Sequence, residues 1–241
     1  MIEEGSLLQS PNLPLLSGET IKTGVDEAHR HGKLAIAHVL TYEASKQAIQ
    51  AGMDGLAHVF IDKPIDNELV AQISASGAFV TPCLVLNFSI MGRSGKSLAA
   101  DERVGRKLGA DWHNTLRSCF NTFPEGKFED VLGTVAALHK GGVDVLVGTD
   151  ASVPIPHLGG LAHGASVHHE LQLLVAAGLT PTEALRAATA LPAKRFGLTD
   201  RGRIAPGMRA DLMLVDGDPT TNIADSLSIR SVWKRGSMLK A

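Results

Sequence analysis

Residues 34–59 have the sequence LAIAHVLTYEASKQAIQAGMDGLAHV. The two ends of this segment, 34–39 and 55–59, are short apolar runs that predict β-strands, and the second begins 21 residues after the first. Between them, Thr41 can cap a helix that Gly52 ends. A strand, a helix and a second strand at this interval predict a βα repeat, because right-handed crossovers place such strands side by side and parallel.

The same alternation extends on both sides of this segment. The apolar runs AFVTPCLVL, 78–86, and VDVLVGTD, 143–150, predict two further buried strands. The interval 87–128 contains glycines and charges and predicts a loop insertion with a helix around 100–120. Capping residues or terminal glycines predict the remaining helices of this part, at 17–30, 66–77 and 129–140. Four strands that alternate with helices predict an α/β fold.

The last third of the chain has a different pattern. Thr180 and Glu183 form a capping box, with Pro181 at the first helical position, and later turn residues separate short apolar runs. The predicted elements are helices at 164–177 and 181–190 and strands at 210–217 and 228–236. We therefore predict two units, 1–200 with alternating strands and helices and 201–241 as a C-terminal β segment.

The composition is that of a globular chain without a basic surface. Of 241 residues, 44% are hydrophobic and 20% charged, and 23 Lys and Arg nearly balance 25 Asp and Glu. A net charge of −2 argues against binding to nucleic acid or to an anionic membrane. Cys83 and Cys119 lack metal-site spacing, and we find neither a basic leader nor a run of about 18 apolar residues. We expect a cytoplasmic protein that binds a small molecule.

Polar side chains end three of the predicted strands. His38 closes LAIAH, His58 closes GLAH and Asp150 closes VDVLVGTD. Neighbouring parallel strands emerge at one edge about 5 Å apart, so these side chains can converge on one ion. Imidazoles and a carboxylate are the ligand set of a hydrolytic divalent metal, with zinc favoured over manganese or iron. Asp150 could also accept a proton from the attacking water and pass it to the leaving group.

The other histidines have simpler interpretations. His29, His31 and His139 lie at predicted helix ends, where a positive charge suits the helix dipole. His163 precedes a predicted helix and is close to Asp150 in sequence, so it either binds substrate or is an ordinary polar loop residue. A single strand-end histidine is also more often a polar cap than a ligand. The metal hypothesis therefore depends on the matched positions of the two strand-end histidines.

Five segments together resemble the C-terminal half of the amidohydrolase superfamily, in particular its imidazolonepropionase-like branch. They are AIAHV, GMDGLAHVF, VLVGTDAS, HGASVHHELQLLVAAGLTPTEALRAATALPAKRFGL and GRIAPGMRADLMLVDGDP. The resemblance implies a partial (β/α)8 TIM-type barrel with equivalents of strands five to eight, followed by C-terminal strands of a small β-sandwich. It also implies that His38, His58 and Asp150 are the metal and catalytic residues of the fifth, sixth and eighth strands.

The chain also departs from that family pattern. The family has an HxH pair on its first strand and a metal-bridging lysine on its fourth, whereas the HxH here, His29 and His31, lies on a predicted helix. Three hypotheses stay open: a metal-dependent hydrolase of C–N bonds in amides, cyclic amides or dipeptides; a non-catalytic truncated fragment of such an enzyme; and an esterase or lactonase on the same scaffold. A homo-oligomer that pairs two half-barrels is a further alternative.

Overall fold

The computed structural model describes residues 2–3, 16–156 and 159–239. A four-stranded parallel sheet with the order β1-β2-β3-β4 lies at its centre. The strands are β1 Ile2–Glu3, β2 Ile36–Val39, β3 Gly55–Ala57 and β4 Phe79–Thr81. The parallel pairing of β2 to β4 confirms the βα repeat predicted from the sequence, whereas β1 was not predicted.

Three helices precede the strands β2 to β4. They are α1 Gly18–Arg30, α2 Tyr42–Gln50 and α3 Asn67–Ser76. Each begins at its predicted cap: the side chains of Ser17, Thr41 and Asp66 accept a hydrogen bond from the backbone N–H three residues later. The α3 helix ends at Gly77, which takes the left-handed conformation with φ of 72°. These helix boundaries were therefore predicted correctly.

The predicted strand 78–86 is wrong beyond Thr81. The chain turns at Pro82 and Cys83, and a buried helix, α4 Leu84–Ile90, follows directly. Cys83 adopts a left-handed φ of 50°, which no continuous strand contains. A short apolar run does not distinguish a buried strand from a buried helix, because both hide every side chain.

The predicted strand 143–150 is also wrong as a regular strand. Only Val145 pairs with the sheet, through a parallel bridge to Val80 of β4. The N–H of Leu146 donates to the Val80 carbonyl at 2.8 Å, but the next N–H, of Val147, donates to Ala187 in a helix. The segment therefore runs beside β4 for about one residue pair and then leaves the ladder.

The insertion between β4 and that segment is helical. It contains α5 Lys96–Ala100, α6 Glu102–Gly105 and α7 Ala110–Leu116, followed by α8 Phe128–Lys140. The single helix predicted around 100–120 is thus two short helices, α6 and α7, preceded by α5. The side chain of Arg103 in α6 donates hydrogen bonds to the Ala224 carbonyl and to Ser228 Oγ, which fixes the insertion to the C-terminal part of the chain.

The C-terminal third contains three helices and an antiparallel sheet with the order β5-β6-β7. Its elements are α9 Ala165–Ala176, α10 Pro181–Ala188, α11 Ala190–Arg195, β5 Leu212–Val215, a 3₁₀ helix at Ile223–Leu227, β6 Ile229–Lys234 and β7 Ser237–Met238. The predicted capping box is present, since Thr180 and Glu183 satisfy each other's backbone N–H groups. The helix predicted for 181–190 instead breaks at Thr189, where φ is −133° and ψ is −79°.

The core is built around the parallel sheet. One large buried cluster contains residues of β2 to β4, of α1 to α4 and of α8 to α10, and a smaller one joins the insertion, α9 and the 3₁₀ helix. Leu116, Ala162 and Leu227 belong to that smaller cluster. In the described part of the chain, no helix has the length and apolar character needed to cross a membrane.

Candidate active site

The two strand-end histidines lie side by side at the carboxyl edge of the parallel sheet. His38 of β2 pairs in register with Ala57 of β3, so His58 follows one residue beyond its neighbour. His58 Nε2 lies 2.9 Å from His38 Nδ1, and the two rings meet edge to face at a centroid distance of 4.5 Å. The structure therefore brings together the two imidazoles that the sequence pattern placed at one edge.

Backbone strain is concentrated at this same edge. Five described residues other than glycine have a φ between 50° and 72°, and three of them are His58, Cys83 and Asp150. His58 follows β3, Cys83 follows β4, and Asp150 ends the segment that bridges to β4. Left-handed backbone costs a side-chain-bearing residue roughly 1–3 kcal/mol and is typical of functional sites. All three turn out of the sheet at its carboxyl end.

His58 is held neutral by its surroundings. Only 3% of the residue is exposed. Burial, and secondarily the electrostatic effect of the neighbouring His38, lowers the pKa of His58 to about 3. Its Nδ1 is buried and has no hydrogen-bond partner among the described residues. A neutral imidazole carries the free lone pair that metal binding requires.

Asp150 lies at the rim of the site. Its Oδ2 is 3.9 Å from His58 Nε2, and 53% of its side chain is exposed, whereas the His58 side chain is 4% exposed. A carboxylate in contact with both solvent and a buried imidazole can receive a proton from water and release it. The geometry is therefore compatible with the proton-carrying role assigned from the sequence.

The imidazole pair can be compared with the geometry of a metal site. Two imidazole nitrogens at about 2.05 Å from a tetrahedral zinc ion lie about 3.3 Å apart. The 2.9 Å between His38 Nδ1 and His58 Nε2 is shorter than this and is a hydrogen-bond distance, so one ring donates its N–H to the other. However, no three His, Cys, Asp or Glu side chains in the described ranges are placed to hold an ion together. The two imidazoles thus lie close enough to bind one divalent metal once the hydrogen bond between them is broken, and a third ligand is not in place among the described residues.

His163 lies in the loop that follows Asp150. Its Nε2 is 2.9 Å from the carbonyl oxygen of Ser152, and its ring meets Trp112 of α7 edge to face at a centroid distance of 4.7 Å. Its side chain is exposed. The structure therefore places His163 between the Asp150 loop and the helical insertion.

The histidines of the HxH pair lie elsewhere. His29 Nε2 is 2.8 Å from Asp54 Oδ2, and His31 Nε2 is 3.0 Å from Glu27 Oε1. Asp54 directly precedes β3, whereas His58 directly follows it, so the His29 pair is at the opposite end of the strand. Structural roles for these two residues agree with their prediction as helix-end histidines.

Glu170 is a buried carboxylate that sequence reasoning missed. It lies in α9, is 0% exposed, and each of its oxygens accepts a backbone N–H from the start of α4. Burial raises the pKa of Glu170 to about 8, although these two hydrogen bonds act in the opposite direction. Helical spacing could have indicated its burial. Ser166, Glu170 and Leu174 follow each other at intervals of four residues and therefore lie on one face of α9, which is buried.

A sequence profile of the amidohydrolase family matches residues 11–239. This chain belongs to the amidohydrolase family. The resemblance seen in the five sequence segments is thereby confirmed. The family also has a TIM-barrel type of α/β fold among its solved structures, which agrees with the alternation of parallel strands and helices in this member.

Several characterised proteins are similar to this amidohydrolase. Ochratoxinase from Aspergillus niger is 26% identical over 239 residues, which cover 96% of this chain and 43% of ochratoxinase. Imidazolonepropionase from Deinococcus deserti is 38% identical over 104 residues, or 40% of this chain and 24% of that enzyme. Adenine deaminase from Methanoregula boonei is 43% identical over 76 residues, which cover 32% of this chain and 12% of the deaminase.

Solved structures show the same partial coverage. The crystal structure of an amidohydrolase matches 99% of this chain and 52% of its own, with a TM-score of 0.70 and 26% identity. A Xaa-Pro dipeptidase with bound methionine matches 100% of this chain and 53% of its own, with a TM-score of 0.71 and 22% identity, which indicates a shared fold. The chain therefore spans about half the length, or less, of the relatives that it matches.

Proposed function

We propose that this chain carries part of the active site of a metal-dependent hydrolase that cleaves a C–N bond. The observation that carries the proposal is the imidazole pair, with 2.9 Å between His38 Nδ1 and His58 Nε2, at the carboxyl edge of a parallel sheet in an amidohydrolase-family chain. Asp150, 3.9 Å from His58, supplies the carboxylate that such a reaction needs.

Each residue has a distinct role in the proposed reaction. A divalent ion, with zinc favoured and manganese or iron as alternatives, would supply Lewis acidity and lower the pKa of water at this site. His38 and His58 would hold it, and Asp150, whose Oδ2 is 3.9 Å from His58 Nε2, would have to move towards them to become the third ligand. Asp150 accepts the proton of the attacking water and passes it to the departing nitrogen. His163, on the exposed loop beside Trp112, contacts the substrate.

We further propose that β2, β3, β4 and the 143–150 segment correspond to strands five to eight of a (β/α)8 barrel, and that β5 to β7 belong to a small β-sandwich. The substrate is a small molecule with an amide, cyclic amide or dipeptide bond. The likeness to a Xaa-Pro dipeptidase supports the dipeptide class. Cys83 and Cys119 are both free thiols, which supports a reducing compartment such as the cytoplasm.

Substitution of the site residues tests the role assignment. His38→Ala or Asp150→Asn should reduce hydrolysis by about 100-fold or more in an active form of the protein, because each removes a metal or proton-transfer group. His29→Ala, at the opposite end of β3, is the matched control and should retain turnover. Steady-state rates on a panel of dipeptides and cyclic amides give the measurement. Retained turnover in both site variants would contradict the assignment.

A non-catalytic chain is the second candidate. It is favoured by the lack of three closely placed ligands in the described ranges. Elemental analysis of the purified chain separates the two candidates: about one zinc, manganese or iron per chain supports the hydrolase, and none supports the non-catalytic chain.

An esterase or lactonase on this scaffold would instead hydrolyse esters or lactones, which can be added to the panel of dipeptides and cyclic amides. Light scattering tests the proposed homo-oligomer of half-barrels, which a monomer would contradict.

A further inference from the structure

The turn between β4 and α4 is held from one side by a single buried carboxylate. Glu170 Oε1 accepts the Leu84 N–H at 2.9 Å, and Oε2 accepts the Val85 N–H at 2.8 Å. Leu84 and Val85 open α4, and their N-cap, Cys83, makes no side-chain capping bond. Unpaired N–H groups at a buried helix start are costly, so Glu170 serves as a cap supplied from 86 residues away.

The same turn holds His58 from the other side. The N–H of His58 donates to the Thr81 carbonyl at 2.8 Å, and the N–H of Val59 donates to the Pro82 carbonyl at 3.3 Å. These bonds fix the backbone where His58 adopts its left-handed φ of 72°. Since only Cys83 separates Pro82 from Leu84, the two sets of hydrogen bonds act on one short, buried piece of backbone.

We propose that Glu170 is a positioning residue for His58: by fixing the turn at Pro82 and Cys83, it holds the His58 imidazole against His38. The inference rests on the proposed function, because it concerns the placement of a proposed metal ligand. A strained backbone conformation persists only where its surroundings determine it, and Glu170 supplies the fully buried anchor for those surroundings. The role is therefore one of geometry, and Glu170 contacts neither imidazole in the hydrogen bonds described.

Both carboxylate oxygens are required for this role. A carboxyl group accepts at both oxygens whether it is ionised or protonated, because a hydroxyl oxygen keeps its lone pairs, whereas a glutamine at position 170 has one acceptor oxygen and can satisfy either the Leu84 or the Val85 N–H. The other N–H would then face an NH₂ group, which is also a donor. Glu170→Gln therefore removes half of the anchor without opening a cavity, whereas Glu170→Ala removes the whole anchor and leaves a void.

Amide hydrogen exchange followed by NMR tests the proposal. In Glu170→Gln, the amides of His58 and Val59 should exchange roughly tenfold faster than in the unaltered chain, with the α2 amides as internal reference. Ser166→Ala is the matched control, because Ser166 lies one turn earlier in α9 and its Oγ accepts the Ala162 N–H at 2.9 Å. Its His58 and Val59 amides should retain their protection. Equal protection of these amides in all three proteins overturns the proposal.

Zinc affinity, measured by titration with a chelator indicator, supplies the second readout. We expect Glu170→Gln to bind zinc about tenfold more weakly, because loss of a residue that orients a metal ligand weakens metal affinity by about that factor. Ser166→Ala should bind zinc with the affinity of the unaltered chain. Faster exchange with unchanged zinc affinity overturns the positioning role. If the unaltered chain binds no zinc, the proposed function fails, and hydrogen exchange still decides whether Glu170 holds His58. Because Glu170→Gln keeps the side-chain volume, the test does not depend on Glu170→Ala folding.

Discussion

At the scale of single residues, the raised pKa of Glu170 predicts an unusual pH dependence of the free energy of unfolding. Burial raises its pKa from 4.5 to about 8 in the folded chain. The folded state therefore favours the protonated carboxyl of Glu170. Its contribution to the free energy of unfolding is fully present below pH 4.5 and is lost as the pH rises towards 8. The buried thiol of Cys83 is its titratable neighbour at the start of α4, and burial raises the pKa of that thiol as well.

We expect urea denaturation to give a free energy of unfolding that declines between about pH 5 and pH 8, with a shallower decline in Glu170→Gln. Glu183→Gln is a useful control, because hydrogen bonds from Thr180 lower the pKa of Glu183. The ionised Glu183 carboxyl therefore stabilises the fold above about pH 4.5, so Glu183→Gln should lower stability at neutral pH and change its pH dependence only in the acidic range. Parallel pH profiles for the unaltered chain and Glu170→Gln would show that Glu170 does not titrate in this range.

The residues of the candidate site were predictable to different degrees. His38 and His58 were found because each ends an apolar run, and the strand register then determines that their rings meet. Glu170 was not found because its partners, Leu84 and Val85, are distant in sequence. A hydrogen bond between distant segments leaves no periodic signal, so only the fold reveals it.

At the scale of secondary-structure elements, the capping box of α10 makes a quantitative prediction. Thr180→Ala should lower the free energy of unfolding by about 1 kcal/mol, because the Glu183 N–H loses its 3.2 Å bond to Thr180 Oγ1. Thr182→Ala, one residue into the same helix and exposed, should change it by less than about 0.5 kcal/mol. Thermal or urea unfolding measures both, and equal values would mean that the box contributes nothing.

The close contact of β3 with β4 gives a second prediction at this scale. A Cβ added at Gly55 would lie 2.5 Å from Cζ of the buried Phe79 ring. We expect Gly55→Ala to cost about 1–3 kcal/mol through overpacking. Gly133→Ala in α8 is the opposite case, because nothing lies within 4 Å of the added Cβ and a helix interior favours alanine. Urea denaturation should therefore give opposite signs for the two variants.

Helices with clear caps were predicted well, and buried strands were not. The cap residues Ser17, Thr41 and Asp66 act within three residues of themselves, so the local sequence contains the whole interaction. The conformation of 78–86 and 143–150 depends on contacts with residues that are distant in sequence, such as the hydrogen bond from the Val147 N–H to the Ala187 carbonyl. An apolar run that is buried on every side has no periodicity from which those contacts could be predicted.

At the scale of the whole molecule, the two sheets differ in how they are buried. β2 to β4 lie within the main apolar cluster, whereas the described residues of β5 to β7 contribute to neither cluster. Met213 and Leu214 of β5 are 47% and 46% exposed. By contrast, Ile223 and Leu227 of the 3₁₀ helix are buried against the rest of the molecule. The predicted boundary at residue 200 thus leaves one C-terminal element packed on the N-terminal unit.

Hydrogen exchange over the whole chain should reproduce this difference. We expect amides in β5 to β7 to exchange about tenfold or more faster than those in β2 to β4, because strands with little apolar cover open locally. The 3₁₀ helix should exchange at rates closer to those of α9, on which it packs. Mass spectrometry of peptides from both sheets gives the measurement. Uniform rates across the chain would indicate that it unfolds as one cooperative unit.

The left-handed backbone at the carboxyl edge of the sheet also limits how this protein can be re-engineered. His58, Cys83 and Asp150 have φ values of 72°, 50° and 53°, where glycine, asparagine and aspartate are tolerated and β-branched residues are not. A randomised library over these three positions would consist mostly of chains that fold poorly. Degenerate codons that omit valine, isoleucine and threonine would yield smaller libraries, in which loss of activity can be traced to lost chemistry and not to a misfolded turn.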